Sequence, residues 1–219
     1  RGTFVEQAIA IGVEGLPIIA LILFLIGIVS SLQSAAQLRK FGADIFVADL
    51  LGIGITRELG PLMTAIIVSG RSGSAIAAEV ATMKFTEELD ALRTMALDPL
   101  RFVAVPKLWA MITCVPMLTV MANLVAILGG LVVGVVFIGI PPLAFANQIA
   151  DALVLKDVVT GLVKSVSFAW IITIIGVFRG LEFTGGADGV GRATTSSVVT
   201  SIFGIIVLDS FWGIVFYLR

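Results

Sequence analysis

Four charged side chains lie inside stretches of sequence that are otherwise apolar enough to cross a membrane: Arg57, Glu58, Lys164 and Asp209. Ionisable groups at membrane depth are costly, so they usually face one another, a water-filled cavity or a transport path. Such charges can do three kinds of chemistry. They can orient helices through an ion pair, relay protons or ions, or contact the polar end of a ligand whose apolar part lies against the helices.

The positions of these charges are compatible with two ion pairs. Lys164 could pair with Asp209, and Arg57 with Glu58, although neighbouring residues on a helix point to different faces. Counted from the nearest helix ends, Glu58, Lys164 and Asp209 lie about 10–20 Å along their helices. We therefore expect these three charges to face one another, a dimer axis or a wet cavity rather than lipid.

The residue types exclude most catalytic chemistry. The sequence contains no His and one Cys, Cys114, so His general bases, Cys-His nucleophiles, internal disulfides and His or Cys metal clusters are ruled out. No Gly-Lys dipeptide occurs, so the chain has no phosphate-binding P-loop. The net charge of −1 gives no basic excess for nucleic acid. We expect no enzyme activity, metal or cofactor on this chain, and any ATP it uses must be hydrolysed by another.

The elements that position the four charges are membrane spans. Of the 219 residues, 58% are hydrophobic and 13% charged, whereas soluble domains average about 45–50% and 25%. A span needs about 20 mostly apolar residues. This predicts an all-α integral membrane protein, a single domain over residues 1–219, with five spans at about 13–34, 43–70, 108–138, 158–178 and 197–218.

Loop charges predict the orientation of the spans. Lys and Arg are concentrated in cytoplasmic loops of membrane proteins. Eight of them fall on one side (Arg1, Arg71, Lys84, Arg93, Arg101, Lys107, Arg179 and Arg192) and four on the other (Arg39, Lys40, Lys156 and Arg219). We therefore expect the N-terminus and the 71–107 segment in the cytoplasm and the C-terminus outside.

The 71–107 segment contains a predicted amphipathic helix over residues 86–97. Phe85, Leu89, Leu92 and Ala96 recur at helical spacing, and Pro99 is expected to end the helix. It could be a connector on the membrane surface. Such helices usually carry basic residues on the polar face, whereas this one is acidic, which favours a protein partner. The candidate partner-binding residues are Phe85, Glu87, Glu88, Leu89, Asp90, Leu92 and Arg93.

Glycines cluster at two further places. The 179–197 segment holds Gly180, Gly185, Gly186, Gly189 and Gly191, and we interpret it as a tight cytoplasmic turn between spans, with its Ser and Thr residues starting the last helix. In the third span, Gly130 and Gly134 form a small-xxx-small pair, which permits close helix packing.

Two stretches carry a resemblance to a known family. They are RELGPLMTAIIVSGRSGSAIAAEVATMKFTEELDALRTMALDPLRF (Arg57 to Phe102) and GGADGVGRATTSSVV (Gly185 to Val199). With the spans between them, nearly the whole chain resembles the MlaE (YrbE-like) permease subunits of Mla-type lipid-transport ABC systems. In that family RELGP borders the lipid cavity, and the ATPase-coupling helix matches residues 86–97. Lys164 and Asp209 match polar family positions less closely, and residues 2–12 leave little room for the family's interfacial helix.

The resemblance implies a multi-pass inner-membrane permease that moves lipid, expected to be phospholipid, to or from an MCE-type carrier. It implies a homodimer, a cytoplasmic ABC ATPase carrying ATP and Mg, an MCE-domain lipid-binding protein and a small STAS-type accessory protein as partners. Arg57, Glu58, Lys164 and Asp209 would line the lipid path. An ion- or proton-coupled secondary transporter is the alternative, although inverted repeats are not evident. A membrane scaffold without transport activity is a third.

Overall fold

The computed structural model describes residues 4–182 and 184–218, without the side chains of Ala187 and Tyr217. These residues are 91% helical and include no strand. In chain order the elements are α1 (Phe4–Phe41), α2 (Asp44–Phe85), α3 (Glu88–Thr94), α4 (Pro99–Ile138), α5 (Pro142–Ala152), α6 (Leu155–Leu181) and α7 (Ala187–Tyr217).

Five of these helices, namely α1, α2, α4, α6 and α7, are long and apolar enough to cross a membrane. This confirms the predicted fold class of an all-α membrane protein with five spans and a short helix between the second and third. Arg1 and Arg219, two of the charges that predict the orientation, lie outside the described residues.

The chain divides into two compact units. The first comprises Arg1–Gly15, Ala65–Pro116 and Ser165–Arg219, and the second Leu16–Thr64 and Met117–Lys164. In the second unit a Cβ atom at Gly130 would lie 2.0 Å from Leu51 Cδ2, and one at Gly134 would lie 2.7 Å from the Phe145 ring. The close packing predicted for this glycine pair is confirmed, and its partners belong to this chain.

The helix that contains the second predicted span continues past Gly70, since α2 extends to Phe85. Arg71 was expected to stop the span, but its guanidinium donates to the Ala10 carbonyl oxygen at 2.8 Å and pairs with Glu14 at 2.7 Å. With its charge satisfied in this way, Arg71 is accommodated within the helix. Two turns of α2 are π-helical, Ile55–Leu59 and Ser69–Gly73.

The helix that contains the third predicted span begins at Pro99, nine residues before residue 108. Proline at the first position of a helix suits the fixed backbone angle of its ring, and the Asp98 carboxylate accepts a hydrogen bond from the Leu100 N–H at 3.0 Å. Lys107, a charge taken to mark the loop, is buried within the helix and pairs with Glu79 at 2.5 Å. The helices of the first and fourth predicted spans are also longer than those spans, since α1 covers 4–41 and α6 covers 155–181.

The predicted helix over 86–97 is shorter in the structure, where α3 covers Glu88–Thr94. Glu87 and Ala96 both have positive φ angles, 60° and 56°. Residues in this left-handed conformation do not continue a right-handed helix. They therefore bound α3 on its two sides.

Most of the 179–197 segment is helical, so the turn predicted there is confined to the residues between Leu181 and Ala187. α7 begins at Ala187, ten residues before the predicted start of the fifth span. Thr194 and Ser197 lie inside this helix rather than at its start, and the Thr194 hydroxyl donates to the Gly191 carbonyl oxygen at 2.7 Å. The sequence between the third and fourth spans also contains an unpredicted helix, α5, whose Phe145 and Ile149 are buried.

Candidate functional site

The RELGP motif lies in a π-helical turn of α2. Pro61 has no backbone N–H, so it cannot donate to the carbonyl oxygen of Arg57 as a regular helix requires. The Gly60 N–H instead bonds the Ile55 carbonyl oxygen, which closes the π turn Ile55–Leu59. π turns within α-helices are frequent at functional sites. This one places Arg57 and Glu58 on consecutive positions of a widened turn.

Helix α6 approaches this turn closely at Gly161. A Cβ atom there would lie 2.3 Å from the Thr56 carbonyl oxygen, so only glycine allows the two backbones to pack at this distance. Asp157 and Lys164 lie four residues before and three after Gly161, on the same helix face. The close approach therefore brings one acid and one base of α6 to the RELGP turn.

Four side chains form an ion-pair cluster in the second unit. Lys164 Nζ binds Glu58 Oε2, Arg57 Nη1 lies 3.8 Å from Asp157 Oδ1, and Arg57 Nε lies 3.9 Å from Glu58 Oε1. Two positive and two negative charges give the cluster no net charge. This balance offsets much of the cost of placing ionisable groups at membrane depth.

Burial divides the cluster into a hidden and an open pair. The side chain of Lys164 is 0% exposed and that of Asp157 11%, whereas Arg57 is 31% and Glu58 41% exposed. The buried side chains of Lys164 and Asp157 therefore fix the positions of their ion-pair partners, Glu58 and Arg57. Glu58 and Arg57 present one anion and one cation that a ligand can reach.

Polar groups without hydrogen-bond partners surround the turn. Among the described residues, Thr56 Oγ1, Thr64 Oγ1 and Asn123 Oδ1 are buried and unpaired. An unsatisfied buried polar atom costs about 1–3 kcal/mol. These three atoms are placed to bond water or the polar part of a bound molecule.

A cavity of about 260 Å³ opens beside the same turn. Its wall on α1 is polar, with Ser30, Gln33, Ser34 and Gln37, and its wall on α2 includes Gly54, Ile55 and Leu59. Ile55 and Leu59 bound the π turn that carries the open pair. Arg57 and Glu58 are not among the residues that line the cavity, whose polar stripe and apolar wall suit a ligand with one polar and one apolar end.

The structure thus joins three of the four predicted path residues, Arg57, Glu58 and Lys164. Asp209 lies half-buried in α7, in the first unit, and its pairing with Lys164 stays a prediction. Sequence reasoning missed Asp157 and the stripe on α1. The signal was available in both cases: Asp157 precedes Lys164 by seven residues, and the stripe recurs at positions 30, 33, 34 and 37 of an otherwise apolar span.

The residues of the predicted partner-binding helix also fall into a buried and an exposed group. Leu89 and Leu92 of α3 are 5% and 8% exposed, and α3 packs against the end of α2. These two leucines of its apolar stripe are therefore covered within this chain. The groups left exposed are Phe85, Glu87, Glu88, Asp90 and Arg93, together with Met95 and Leu97.

Comparison with known proteins adds to this geometry. The family model described as Permease MlaE matches residues 4–215. The chain belongs to the MlaE permease family. This is a family of permeases, not of catalytic proteins, and with the five spans it makes the chain a membrane-embedded protein.

Individual relatives of this MlaE-family chain are similar over most of their length. A probable ABC transporter permease of Rickettsia typhi is 40% identical, over 92% of this chain and 78% of its own length. A probable ABC transporter permease of Synechocystis is 39% identical, over 96% and 80%. The intermembrane phospholipid transport system permease protein MlaE of Haemophilus influenzae is 36% identical, over 94% and 79%.

Proposed function

We propose that this chain is the permease subunit of an ABC-type transporter that moves phospholipid between the inner membrane and an MCE-type carrier. The carrying observation is the open Glu58–Arg57 pair, held by buried Lys164 and Asp157 beside a cavity of mixed polarity. A phospholipid has both charges in its headgroup and apolar tails. The names of the relatives from Haemophilus influenzae and Rickettsia typhi support phospholipid as cargo and an ABC system as the machinery.

In this proposal Glu58 and Arg57 contact the headgroup while acyl chains lie against the apolar helix surfaces. Lys164 and Asp157 act as positioning residues, because their burial keeps them from the ligand but fixes the carboxylate and guanidinium that meet it. Asp209 is proposed as a further polar residue of the path. ATP and Mg bind to a separate ATPase, whose cycle opens and closes the path.

The exposed side of α3 is the proposed ATPase contact. Three carboxylates, on Glu87, Glu88 and Asp90, face away from the chain with one base, Arg93. Exposed Phe85 adds an apolar contact beside them. We further propose that the permease is a homodimer in the inner membrane with its N-terminus in the cytoplasm. Its other proposed partners are an MCE-domain protein and a STAS-type protein.

Lipid transfer in reconstituted vesicles tests the transport site. The permease, its ATPase and the MCE protein would be assembled with a fluorescent phospholipid, and transfer measured with ATP or with a proton gradient alone. Glu58→Gln should lower ATP-driven transfer about tenfold, the equivalent of a lost interaction of about 1.4 kcal/mol. Glu79→Gln is the matched control, since Glu79 is also half-exposed and also pairs with a buried lysine.

Equal transfer by both variants would overturn the role of Glu58. Transfer driven by the proton gradient without ATP would favour the ion-coupled alternative instead. An intact complex that moves no lipid under any condition would favour a scaffold.

ATPase retention tests the contact surface on α3. Because Leu89 and Leu92 are buried, replacing them would disturb this chain itself, so the exposed acids are the better targets. Glu88→Lys with Asp90→Lys should reduce the ATPase recovered with the purified permease. Asp151→Lys, an exposed reversal on α5, should leave recovery unchanged. Full recovery with the double reversal would contradict the contact.

A further inference from the structure

Two cavities of the first unit adjoin, and neither includes the ion-pair cluster. One, of about 420 Å³, has four charged side chains among its eight lining residues and is called here the charged cavity. The other, of about 370 Å³, is called the apolar groove. Leu100 and Leu181 line both. The two spaces are therefore adjacent at these two residues.

The apolar groove runs between the first turns of α4 and the last turns of α6. Nine residues along each helix, 100–108 and 173–181, are separated by eight rises of about 1.5 Å and give it a length of about 12 Å. One leaflet of a bilayer has a hydrocarbon thickness of about 15 Å, half of the full core. Thr173 is the polar member of the lining, and its hydroxyl donates to the Ala169 carbonyl oxygen at 2.8 Å. The groove thus accepts a hydrocarbon chain of leaflet length without leaving a polar group unpaired.

The charged cavity offers two cations and two anions, Lys84, Arg93, Asp90 and Asp98. Arg93 pairs with Asp90 at 2.9 Å, but their side chains are 68% and 67% exposed. Ion pairs this exposed are worth about 0–1 kcal/mol, so they can open to bind an ionic ligand. Lys84 Nζ donates to the Leu181 carbonyl oxygen at 2.6 Å, which holds a cation where the two cavities are adjacent.

We propose that the charged cavity and the apolar groove together bind one zwitterionic phospholipid with an amine headgroup, at a site separate from the ion-pair cluster. One acyl chain lies in the groove. Lys84 and Arg93 bind the phosphate, and Asp90 and Asp98 bind the ammonium group. A purely anionic headgroup would meet two carboxylates, so the mixed charges favour a headgroup that carries both signs.

This occupant contacts α3 directly, because Leu89, Asp90 and Arg93 line the charged cavity. The helix proposed to meet the ATPase therefore shares Asp90 and Arg93 with the lipid site, and Glu87 and Glu88 do not line the cavity. This inference does not rest on the proposed transport function, since lipid binding at this site is an equilibrium that needs no ATP.

Photolabelling tests the site. The permease–ATPase complex would be placed in nanodiscs containing phosphatidylethanolamine with a photoreactive group on one acyl chain, and the labelled peptides mapped. Labelling is expected in residues 100–108 and 173–181, and unlabelled phosphatidylethanolamine should compete for it. Phosphatidylglycerol, which lacks the amine, should compete about two- to fivefold less well, in line with the small energy of exposed ion pairs.

A matched pair of variants on α4 distinguishes lipid binding in the groove from general contact with membrane lipid. Val105 lines the groove and Val120 does not, and they are 42% and 41% exposed. Val105→Trp should lower labelling about tenfold, because losing the burial of two methylene groups has that effect. Val120→Trp should not lower it. Ala104→Leu, a smaller filling of the same groove, is the second variant.

Three results would overturn the proposal. Labelling by Val105→Trp and Ala104→Leu equal to that of the unmodified chain would show general lipid contact only. Equal competition by both lipids would remove the headgroup assignment. Labelling that occurs in the permease alone and vanishes in the assembled complex would show that the partner protein covers this surface.

Discussion

Two buried lysines of this protein make the same pair in different surroundings. Lys164 in the second unit and Lys107 in the first each bind a glutamate that is nearly half-exposed, Glu58 and Glu79. Glu79 lies in a regular helical turn of α2, whereas Glu58 lies in a π turn with a second ion pair at its side. The bare pair is a stabilising device that the fold uses twice. What distinguishes the candidate site is the surrounding set of polar groups and the cavity.

The largest expected effect is on stability, and the two pairs should share it. Glu58→Leu and Glu79→Leu each leave a buried lysine without its carboxylate. In soluble proteins such a change costs about 3–5 kcal/mol. Both variants should lower the midpoint of thermal unfolding in detergent. Glu182→Gln, which breaks the exposed pair with Arg179, is the control, and a loss as large as for the buried pairs would contradict this reasoning.

Replacing both members of each pair should show that only one of the two regions is needed for lipid transfer. Replacing a buried pair by apolar residues is often neutral for stability, so Glu79→Leu with Lys107→Met should fold and transfer lipid normally. Glu58→Leu with Lys164→Met should fold equally well but transfer about tenfold less, as expected for losing a charge-assisted contact of at least about 1.5 kcal/mol. Comparable transfer by the two double variants would show that both pairs are only structural.

A smaller effect is expected from moving α6 without removing any charge. Gly161→Ala places a methyl group against the Thr56 carbonyl oxygen, and overpacking of this kind costs about 1–3 kcal/mol. Lipid transfer should fall with it, because α6 carries Lys164 and Asp157. Gly213→Ala adds the same methyl group where no other atom lies within 4 Å. Its unfolding midpoint should be unchanged or higher, and a matching loss would refute the packing argument.

The smallest effect is expected at the surface of α3. Asp90→Asn breaks a pair with Arg93 in which both side chains are about two-thirds exposed, and such pairs contribute about 0–1 kcal/mol. Detergent unfolding should barely change. ATPase recovery should fall slightly, because one of three exposed carboxylates is removed. A clear drop in stability would mean that α3 depends on this pair more than its exposure suggests.

The sequence predicted the five long helices, and at two of their ends the helix extends past the predicted span for the same reason. A charge was taken to end a span, but Arg71 is satisfied by Ala10 and Glu14, and Lys107 by Glu79. Those partners lie 28 to 61 residues away in the chain. Long-range ion pairs of this kind are not visible in hydropathy. The result was helices that extend further than a charge-free window allows.

The site was predicted in part for a related reason. The charges Arg57, Glu58 and Lys164 stand out against apolar sequence, and their cost at membrane depth is a strong signal. The partner of Lys164 could not be chosen from spacing alone, because that choice depends on where α6 crosses α2, which Gly161 decides. The helix predicted over 86–97 shows the opposite failure: two residues of its predicted apolar stripe, Leu89 and Leu92, are buried in this chain, whereas Phe85 and Ala96 are exposed and lie outside α3. Periodicity alone cannot tell whether this chain or a partner covers an apolar stripe.

The π turns of α2 have a consequence for comparing this chain with its relatives. Each added residue in a helix turns the following segment by about 100°. A relative that lacked one residue within Ile55–Leu59 or Ser69–Gly73 could keep a continuous helix while facing its downstream side chains differently. A one-residue gap at either turn would therefore indicate a rotation of the downstream helix rather than a change in loop length. Alignments of this family should be inspected there before any charge is declared equivalent.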